Sequence, residues 1–193
     1  MAHADDAPTL SFADAAAWET WLEEHHAAPA GVWMRIAKKG ADARSVTHAE
    51  ALEVAILFGW IDGVRRAHDD AWFVQRFTPR RARSRWSRIN RDKATAAIAA
   101  GTMRPTGLAE VERAQADGRW DAAYEGQRTM EVPDDLRAAL DADPAAAAFF
   151  ATLSGHNRYA ILYRVQDAKR PETRARRIAT YVAMCAAGET LHP

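Results

Sequence analysis

The stretch with the most side chains able to do chemistry spans residues 76–93, RFTPRRARSRWSRINRDK. It carries eight basic residues against one acid, in a chain that is neutral overall with 26 Lys and Arg against 26 Asp and Glu. Arginine donates two parallel hydrogen bonds to phosphate or carboxylate, and a helix N-terminus adds free N–H groups and a positive dipole end. The stretch therefore predicts either an anion-binding site or a solvated basic face that pairs with the protein's own acids.

The predicted site is a cleft between a sheet and the helix that follows it. Arginines would hold the anion, serine hydroxyls would donate, and tryptophans would wall the pocket. The predicted ligand-binding residues are Lys38, Trp60, Asp62, Arg76, Arg80, Arg81, Ser84, Trp86, Ser87 and Asn90. On a helix capped by Ser84, Trp86 and Asn90 would be at positions i and i+4 and would face the same cleft.

Asp62 stands between bulky apolar residues in the segment FGWIDG. A carboxylate is costly there unless a cation or hydrogen-bond donors receive it, and we expect Arg65, Arg66 or the basic stretch to supply them. One interpretation is a buried structural ion pair. The other makes Asp62 a carboxylate that orients the ligand, or a general base.

Lys38 and Lys39 follow a predicted strand and precede a loop that contains glycine. Because neighbouring side chains point to opposite sides of a strand, at most one of the two is expected to face a given pocket. The two lysines either belong to a functional site at the end of the strand or only make the strand end soluble. An enzyme would use Asp62 as base and Lys38 or Lys39 as electrophile, although no recognisable catalytic motif accompanies them.

A second group of basic residues lies near the C-terminus among tyrosines and raises nucleic-acid binding as an alternative function. The group comprises Arg164, Lys169, Arg170, Arg174, Arg176 and Arg177, with Tyr159, Tyr163 and Tyr181. The zero net charge of the chain opposes this alternative, since nucleic-acid binders usually carry net positive charge.

Other classes of protein are excluded by what the sequence omits. The histidines show no metal-ligand spacing, and no dinucleotide, P-loop or hydrolase motif occurs, so no metal and no cofactor are predicted. Cys185 is the one cysteine and is expected in a helical core rather than as a nucleophile. No apolar run is long enough to span a membrane, and no signal peptide is expected, so the predicted location is cytoplasmic.

Capping signals and hydrophobic periodicity predict the elements of the first part of the chain. A helix capped by Ser11 precedes a strand over residues 32–38, and a capping box of Thr47 and Glu50 opens a helix that stops at Gly59. A hairpin joins strands over 60–64 and 72–77. Ser84 is predicted to cap the next helix, and one more helix follows Thr106 and ends at Gly118.

The second part is predicted to be helical. Residues 126–132 are the predicted linker, and helices open at Asp134 and at Asp143-Pro144, followed by helices over 154–169 and 171–187. The fold class predicted is α+β, with a small antiparallel sheet and flanking helices, followed by an all-helical C-terminal portion. The predicted domains are residues 10–125, with the cleft, and residues 133–188.

Four segments together resemble the YdeI/OmpD-associated, or bacteriocin-protection, family: LFGWIDG, QRFTPRRARSRWSRIN, GTMRPTGLAEVERAQADGRWD and AKRPETRARRIATYVAMCAAG. The resemblance covers residues 12–188, and the module that defines the family would lie at 168–177. If the family has a common site, its positions here would be Trp60, Asp62, Gln75, Arg76, Thr78, Pro79, Arg80, Arg81, Ser84, Trp86, Ser87 and Asn90.

Sequence and resemblance together predict a cytoplasmic protein that binds a small phosphorylated or carboxylated ligand in a stress-protection role. Nucleic-acid binding and catalysis by Asp62 are the alternatives.

Overall fold

The computed structural model describes residues 7–126 and 129–193. They form two units, one ending at Ala123 and the other beginning at Tyr124. Residues 127 and 128 of the predicted linker, and residues 1–6, lie outside the described part of the chain.

The first unit combines a four-stranded sheet with four helices. Its elements are β1 (Thr9–Leu10), α1 (Ala15–His25), β2 (Val32–Ala37), α2 (His48–Leu57), β3 (Trp60–Ala67), β4 (Trp72–Pro79), α3 (Arg88–Ala99) and α4 (Pro105–Ala116). The strand order is β1-β2-β4-β3. β2, β4 and β3 pair antiparallel, which confirms the predicted sheet, and the two-residue β1 adds a parallel edge strand that the sequence did not predict.

One face of the sheet forms the core of this unit with α1 and α2. Directly paired residues share a face, so Val32 opposite Phe77 and Ile36 opposite Phe73 define the buried side. These side chains pack with the fully buried Trp18 of α1. The indole Nε1 of Trp18 donates to the carbonyl of Ala51 at 3.1 Å, which ties α1 to α2.

The opposite face of the sheet carries arginines stacked on tryptophans. Trp33 is paired with Arg76, whose guanidinium carbon lies 5.5 Å from the centre of the Trp33 ring. Arg66 covers the same ring at 4.5 Å. Cation–π stacking and the aliphatic stems of both arginines therefore bury an indole that would otherwise face solvent.

A β-bulge interrupts the pairing of β3 with β4. Asp62 pairs with Phe77 and Arg65 pairs with Gln75, so two residues of β3 oppose a single residue of β4. The side-chain amide of Gln75 donates to the carbonyl of Gly63 at 2.8 Å and closes the bulge. As a result, Asp62 and Arg65 both lie on the face of the sheet that carries Phe77. In a regular strand, two residues three positions apart would lie on opposite faces.

Most predicted helices are confirmed, and two predicted caps are wrong. The capping box of Thr47 and Glu50 opens α2. Asp14, and not Ser11, caps α1 by accepting from the N–H of Ala17. Ser87, and not Ser84, caps α3, because the Ser84 hydroxyl accepts from the N–H of Arg81 in the preceding turn.

The second unit is all helical, as predicted. It contains α5 (Asp134–Asp141), α6 (Pro144–Thr152), α7 (Gly155–Gln166) and α8 (Pro171–Ala186). Asp143 caps α6 with Pro144 as its first residue, which confirms that start. Cys185 lies in the core among Leu136, Phe150 and Ile178, and burial raises the pKa of its thiol. Across the described residues, no helix has the length and apolar character needed to cross a bilayer.

Candidate functional site

Arg76 of the basic stretch is engaged by the protein itself. It is 8% exposed, and its guanidinium donates to the carbonyls of Ala30 and Phe77 and lies near the ring of Trp33. Burial, and then the positive charge of Arg81, lower the pKa of Arg76. Its donors therefore fasten β4 to the turn before β2.

Arg80 is 5% exposed and lies flat on an indole. Its guanidinium carbon is 3.5 Å from the centre of the Trp86 ring, and Nη1 donates to the carbonyl of Arg85 at 3.0 Å. Burial raises the pKa of the Glu110 carboxyl in α4, and the charges of Arg113, Arg119 and, least of all, Arg80 oppose this shift. Arg80 is thus held by the ring of Trp86 and the carbonyl of Arg85.

The other predicted residues of this stretch have structural positions. Trp86 is fully buried and packs edge-on against Trp120 at 4.9 Å. It precedes α3, so the expected i and i+4 pairing of Trp86 with Asn90 on one helix is wrong. Asn90 is buried, and its N–H donates to the capping hydroxyl of Ser87. Arg76 and Arg80 thus bond to backbone carbonyls, and an anion site at this stretch stays a prediction.

A cavity of about 580 Å³ lies instead where β2 ends and α2 begins. The residues that line it come from the end of β2, the following loop, the start of α2 and the β3–β4 hairpin. They are Ile36, Ala37, Lys38, Lys39, Gly40, Ala41, Ala43, Arg44, Ser45, Val46, Thr47, His48, Arg65 and Phe73.

Backbone hydrogen bonds fix both ends of the loop that forms this cavity. The N–H of Lys38 donates to the carbonyl of Ala71 at 2.8 Å, and the N–H of Val46 donates to the carbonyl of Phe12 at 2.9 Å. The Ser45 hydroxyl accepts from the N–H of Ala37 and donates to the carbonyl of Val46, both at 2.9 Å. Gly40 takes the turn with φ of 84°, a conformation that favours glycine. The cavity is therefore held open by the fold.

The lining is strongly cationic. Lys38, Lys39, Arg44 and Arg65 contribute four positive charges, and no Asp or Glu occurs among the described residues that line the cavity. Lys38 Nζ donates to the backbone carbonyl of Asp69 at 2.6 Å, and the Arg65 guanidinium stacks on Phe73 at 3.6 Å. Lys39 and Arg44 form no ion pair with any described residue.

Both lysines line this cavity, so the expectation that at most one of them faces a given pocket is wrong. The strand β2 ends at Ala37. Lys38 and Lys39 therefore lie in the turn that follows, where the alternation of a strand no longer applies.

His48 and Asp62 form a pair at the edge of the cavity. His48 Nε2 lies 3.1 Å from Asp62 Oδ2, and the histidine lines the cavity. The partner of Asp62 is thus a histidine, and the expected Arg65 and Arg66 instead stack on Phe73 and Trp33. Trp60, two residues earlier, is fully buried and donates from Nε1 to the carbonyl of His26 at 2.8 Å.

The structure thus separates the predicted site residues into different places. Lys38 lines the cavity, and Asp62 reaches it through His48. The tryptophans, arginines, serines and Asn90 of the predicted set do not line it. The sequence prediction did not include His48, Arg44 and Arg65, which line this cavity, among the ligand-binding residues. The basic loop between a strand end and a capping box was a usable signal for Arg44, whereas the bulge that turns Arg65 toward the cavity has no clear signature.

The second unit has other cavities and engages part of its basic cluster internally. A cavity of about 560 Å³ between α5 and α8 is lined mainly by alanines and other apolar side chains. Arg174 is bound by Asp135 at 2.5 Å and 2.8 Å, and Arg177 lies 3.8 Å from Asp167. No group of three or more His, Cys, Asp or Glu suited to a metal ion occurs in the described part of the chain.

Two family models match the chain. Residues 10–110 match a model described as a domain of unknown function (DUF8412). Residues 129–188 match a model described as bacteriocin-protection, YdeI or OmpD-associated. No curated protein and no solved structure matches the chain. The cationic cavity lies within the first match.

Proposed function

For this chain, which belongs to the family of the domain of unknown function DUF8412 and carries a C-terminal module of the YdeI/OmpD-associated family, we propose that the cavity at the end of β2 binds a small anionic ligand. The ligand is a phosphate ester or a carboxylate. The first unit alone supplies the residues of the proposed site.

The observation that carries the proposal is the charge of the lining. Four cationic side chains and a histidine surround one cavity, without a carboxylate among the described lining residues. Positive charges of one sign in a concave site raise the local potential and attract anions. The exposed Lys39 and Arg44 lack an ion-pair partner among the described residues, so their charges remain available to a ligand.

The size and the walls of the cavity support a small organic molecule. A volume of about 580 Å³ falls within the range of ligand pockets, about 300–1,000 Å³. Ile36, Val46 and Phe73 contribute apolar atoms to the lining, beside the four cationic side chains. A metabolite with an anionic end and a short carbon skeleton matches this distribution better than a bare ion.

Isothermal titration calorimetry of the full chain with glycerol 3-phosphate tests the proposal. We expect binding in the unaltered protein and its loss in the double variant Lys39→Met, Arg44→Met, whose two side chains are exposed. The matched control is Arg81→Met, Arg83→Met, which removes two exposed charges from the basic stretch. Loss of binding in the control with retention in the cavity variant would place the anion at the basic stretch and overturn the proposal.

A short DNA duplex in the same titration addresses the nucleic-acid alternative. Binding through phosphates weakens steeply with salt and ignores the structure of the ligand. If DNA binds in this manner and glycerol 3-phosphate does not bind, the small-ligand proposal is wrong.

A protective role is the second part of the proposal, and it rests on the match of residues 129–188 to the bacteriocin-protection family alone. A bacterial host that expresses the chain is expected to survive a bacteriocin challenge better than a host that expresses the Lys39→Met, Arg44→Met variant. Equal survival would separate the cavity from any protective role. The cytoplasmic location stays a prediction.

A further inference from the structure

We propose that the ligand of this cavity carries a hydroxyl group in addition to its anionic group, and that His48 selects it by accepting the hydrogen bond of that hydroxyl. This inference rests on the proposed function. It narrows the ligand to a hydroxylated anion such as a sugar phosphate or a hydroxy acid.

The hydrogen-bonding capacity of the lining is unbalanced. Lys38, Lys39, Arg44 and Arg65 only donate. The Ser45 hydroxyl already bonds Ala37 and Val46. We therefore assign the ligand's hydroxyl to a lining acceptor that forms no hydrogen bond within the protein.

The second lining hydroxyl is also committed. Thr47 Oγ1 donates to Glu50 Oε2 at 2.8 Å and accepts from the Glu50 N–H at 3.3 Å, since it belongs to the capping box of α2. Among the side chains described around the cavity, the imidazole of His48 has an acceptor nitrogen that forms no described hydrogen bond.

Asp62 determines which ring nitrogen of His48 accepts. A carboxylate only accepts hydrogen bonds, so the 3.1 Å contact requires a proton on His48 Nε2. In the neutral ring, the lone pair then lies on Nδ1. No described residue forms a hydrogen bond with Nδ1. Asp62 is itself absent from the lining and acts as a positioning residue.

The fold holds this pair between two elements. His48 is the first residue of α2, and Asp62 lies on β3 beside the bulge. The imidazole also lies near the ring of Phe77, with the ring centres 6.2 Å apart. The histidine is thus oriented before any ligand arrives, which reduces the entropy lost on binding.

A matched pair of probes tests the inference: glycerol 3-phosphate and propyl phosphate, which share charge and chain length and differ in their hydroxyls. In the unaltered protein, calorimetry is expected to show glycerol 3-phosphate binding roughly 3 to 10 times more tightly, the worth of one neutral hydrogen bond. In His48→Phe, which keeps an aromatic ring without an acceptor, the affinities for the two probes should become equal to each other.

Asp62→Asn provides a second test of the positioning role. An amide can donate to Nε2, which lets the proton move to Nδ1, so the preference for the hydroxylated probe should fall while propyl phosphate still binds. This variant also serves if His48→Phe does not fold, as judged by its thermal melting curve.

The possible outcomes separate the inference from the function on which it rests. Equal affinities for the two probes in the unaltered protein would overturn the role of His48 and leave anion binding intact. A preference for glycerol 3-phosphate that persists in both His48→Phe and Asp62→Asn would likewise overturn the role of His48 and leave anion binding intact. If neither probe binds the unaltered protein, the proposed function itself fails, and the inference fails with it.

Discussion

His48 Nε2 lies 3.1 Å from Asp62 Oδ2, so the first residue of α2 is joined to strand β3 at the edge of the cationic cavity. Two features of the fold create this contact. The capping box fixes the start of α2, and the pairing of Asp62 with Phe77 sets the carboxylate on the face that α2 covers. The capping box of α2 and the pairing of β3 with β4 thus together position the two side chains at the proposed site.

Removing the cap of α2 is expected to destabilise the protein. Thr47→Ala deletes the hydroxyl that accepts from the Glu50 N–H, and such a loss costs about 1 kcal/mol in the free energy of unfolding. Urea denaturation followed by circular dichroism measures it. The control is Thr95→Ala, which removes an exposed hydroxyl bonded to the carbonyl of Arg91 within α3 and should change stability by less than about 0.5 kcal/mol. Equal effects of the two substitutions would contradict the capping box.

Arg80 and Arg81 are neighbours with opposite expected roles. Arg80→Met loses the hydrogen bond to Arg85 and the stacking on Trp86, and is expected to lower the free energy of unfolding by about 2 kcal/mol. Arg81→Met, on an exposed side chain, should stay within about 0.5 kcal/mol. Both variants should keep the anion affinity of the unaltered protein. An Arg80→Met protein of undiminished stability that no longer binds anions would return the site to the basic stretch.

The ion pair of Arg174 with Asp135 predicts a pH dependence in the second unit. The hydrogen bonds from Arg174 lower the pKa of Asp135 below its ordinary value. The pair's stabilisation is therefore complete above the unfolded pKa of about 4 and is lost as the pH falls through the lowered one.

Arg174→Met isolates this contribution. Because both side chains are partly exposed, we expect a loss of about 1 kcal/mol at neutral pH, and a smaller difference from the unaltered protein in acid. Urea denaturation across that pH range measures the difference. A difference that stays constant with pH would mean that the bond from Arg174 to the carbonyl of Val165 carries the whole effect.

Cys185 is expected to resist thiol reagents in the folded protein. It is 1% exposed, and burial raises the pKa of its thiol, so little reactive thiolate is available. Labelling with a chromogenic disulfide should proceed only as fast as the second unit opens, and should become rapid in denaturant. Rapid labelling without denaturant would show that α8 leaves this thiol accessible.

Local signals predicted most of the fold. The capping box at Thr47 and the Asp143-Pro144 start satisfy donors within a few residues of chain, so the sequence alone determines them. The choice between Ser84 and Ser87 was not local, because either serine could cap a helix. In the structure, the Ser84 hydroxyl accepts from the N–H of Arg81, and the fully buried Trp86 lies between Ser84 and the capping Ser87.

The site was harder to predict than the fold, because a count of charges does not show where the charges point. Arg76 and Arg80 belong to the densest basic stretch, yet both lie against indole rings and bond to backbone carbonyls. Arg65 belongs to a shorter basic pair, and the bulge after Asp62 turns it onto the face of Phe73. The direction of the Arg65 side chain follows from the register between β3 and β4, which the local sequence of β3 does not determine.

Binding of an anion at the end of β2 can be located by titrating the isotopically labelled protein. Backbone amide shifts would be followed by heteronuclear NMR as glycerol 3-phosphate is added. We expect shifts at residues 38–48 and at Arg65, with residues 80–91 unchanged. Shifts confined to residues 80–91, or no shifts at all, would contradict it.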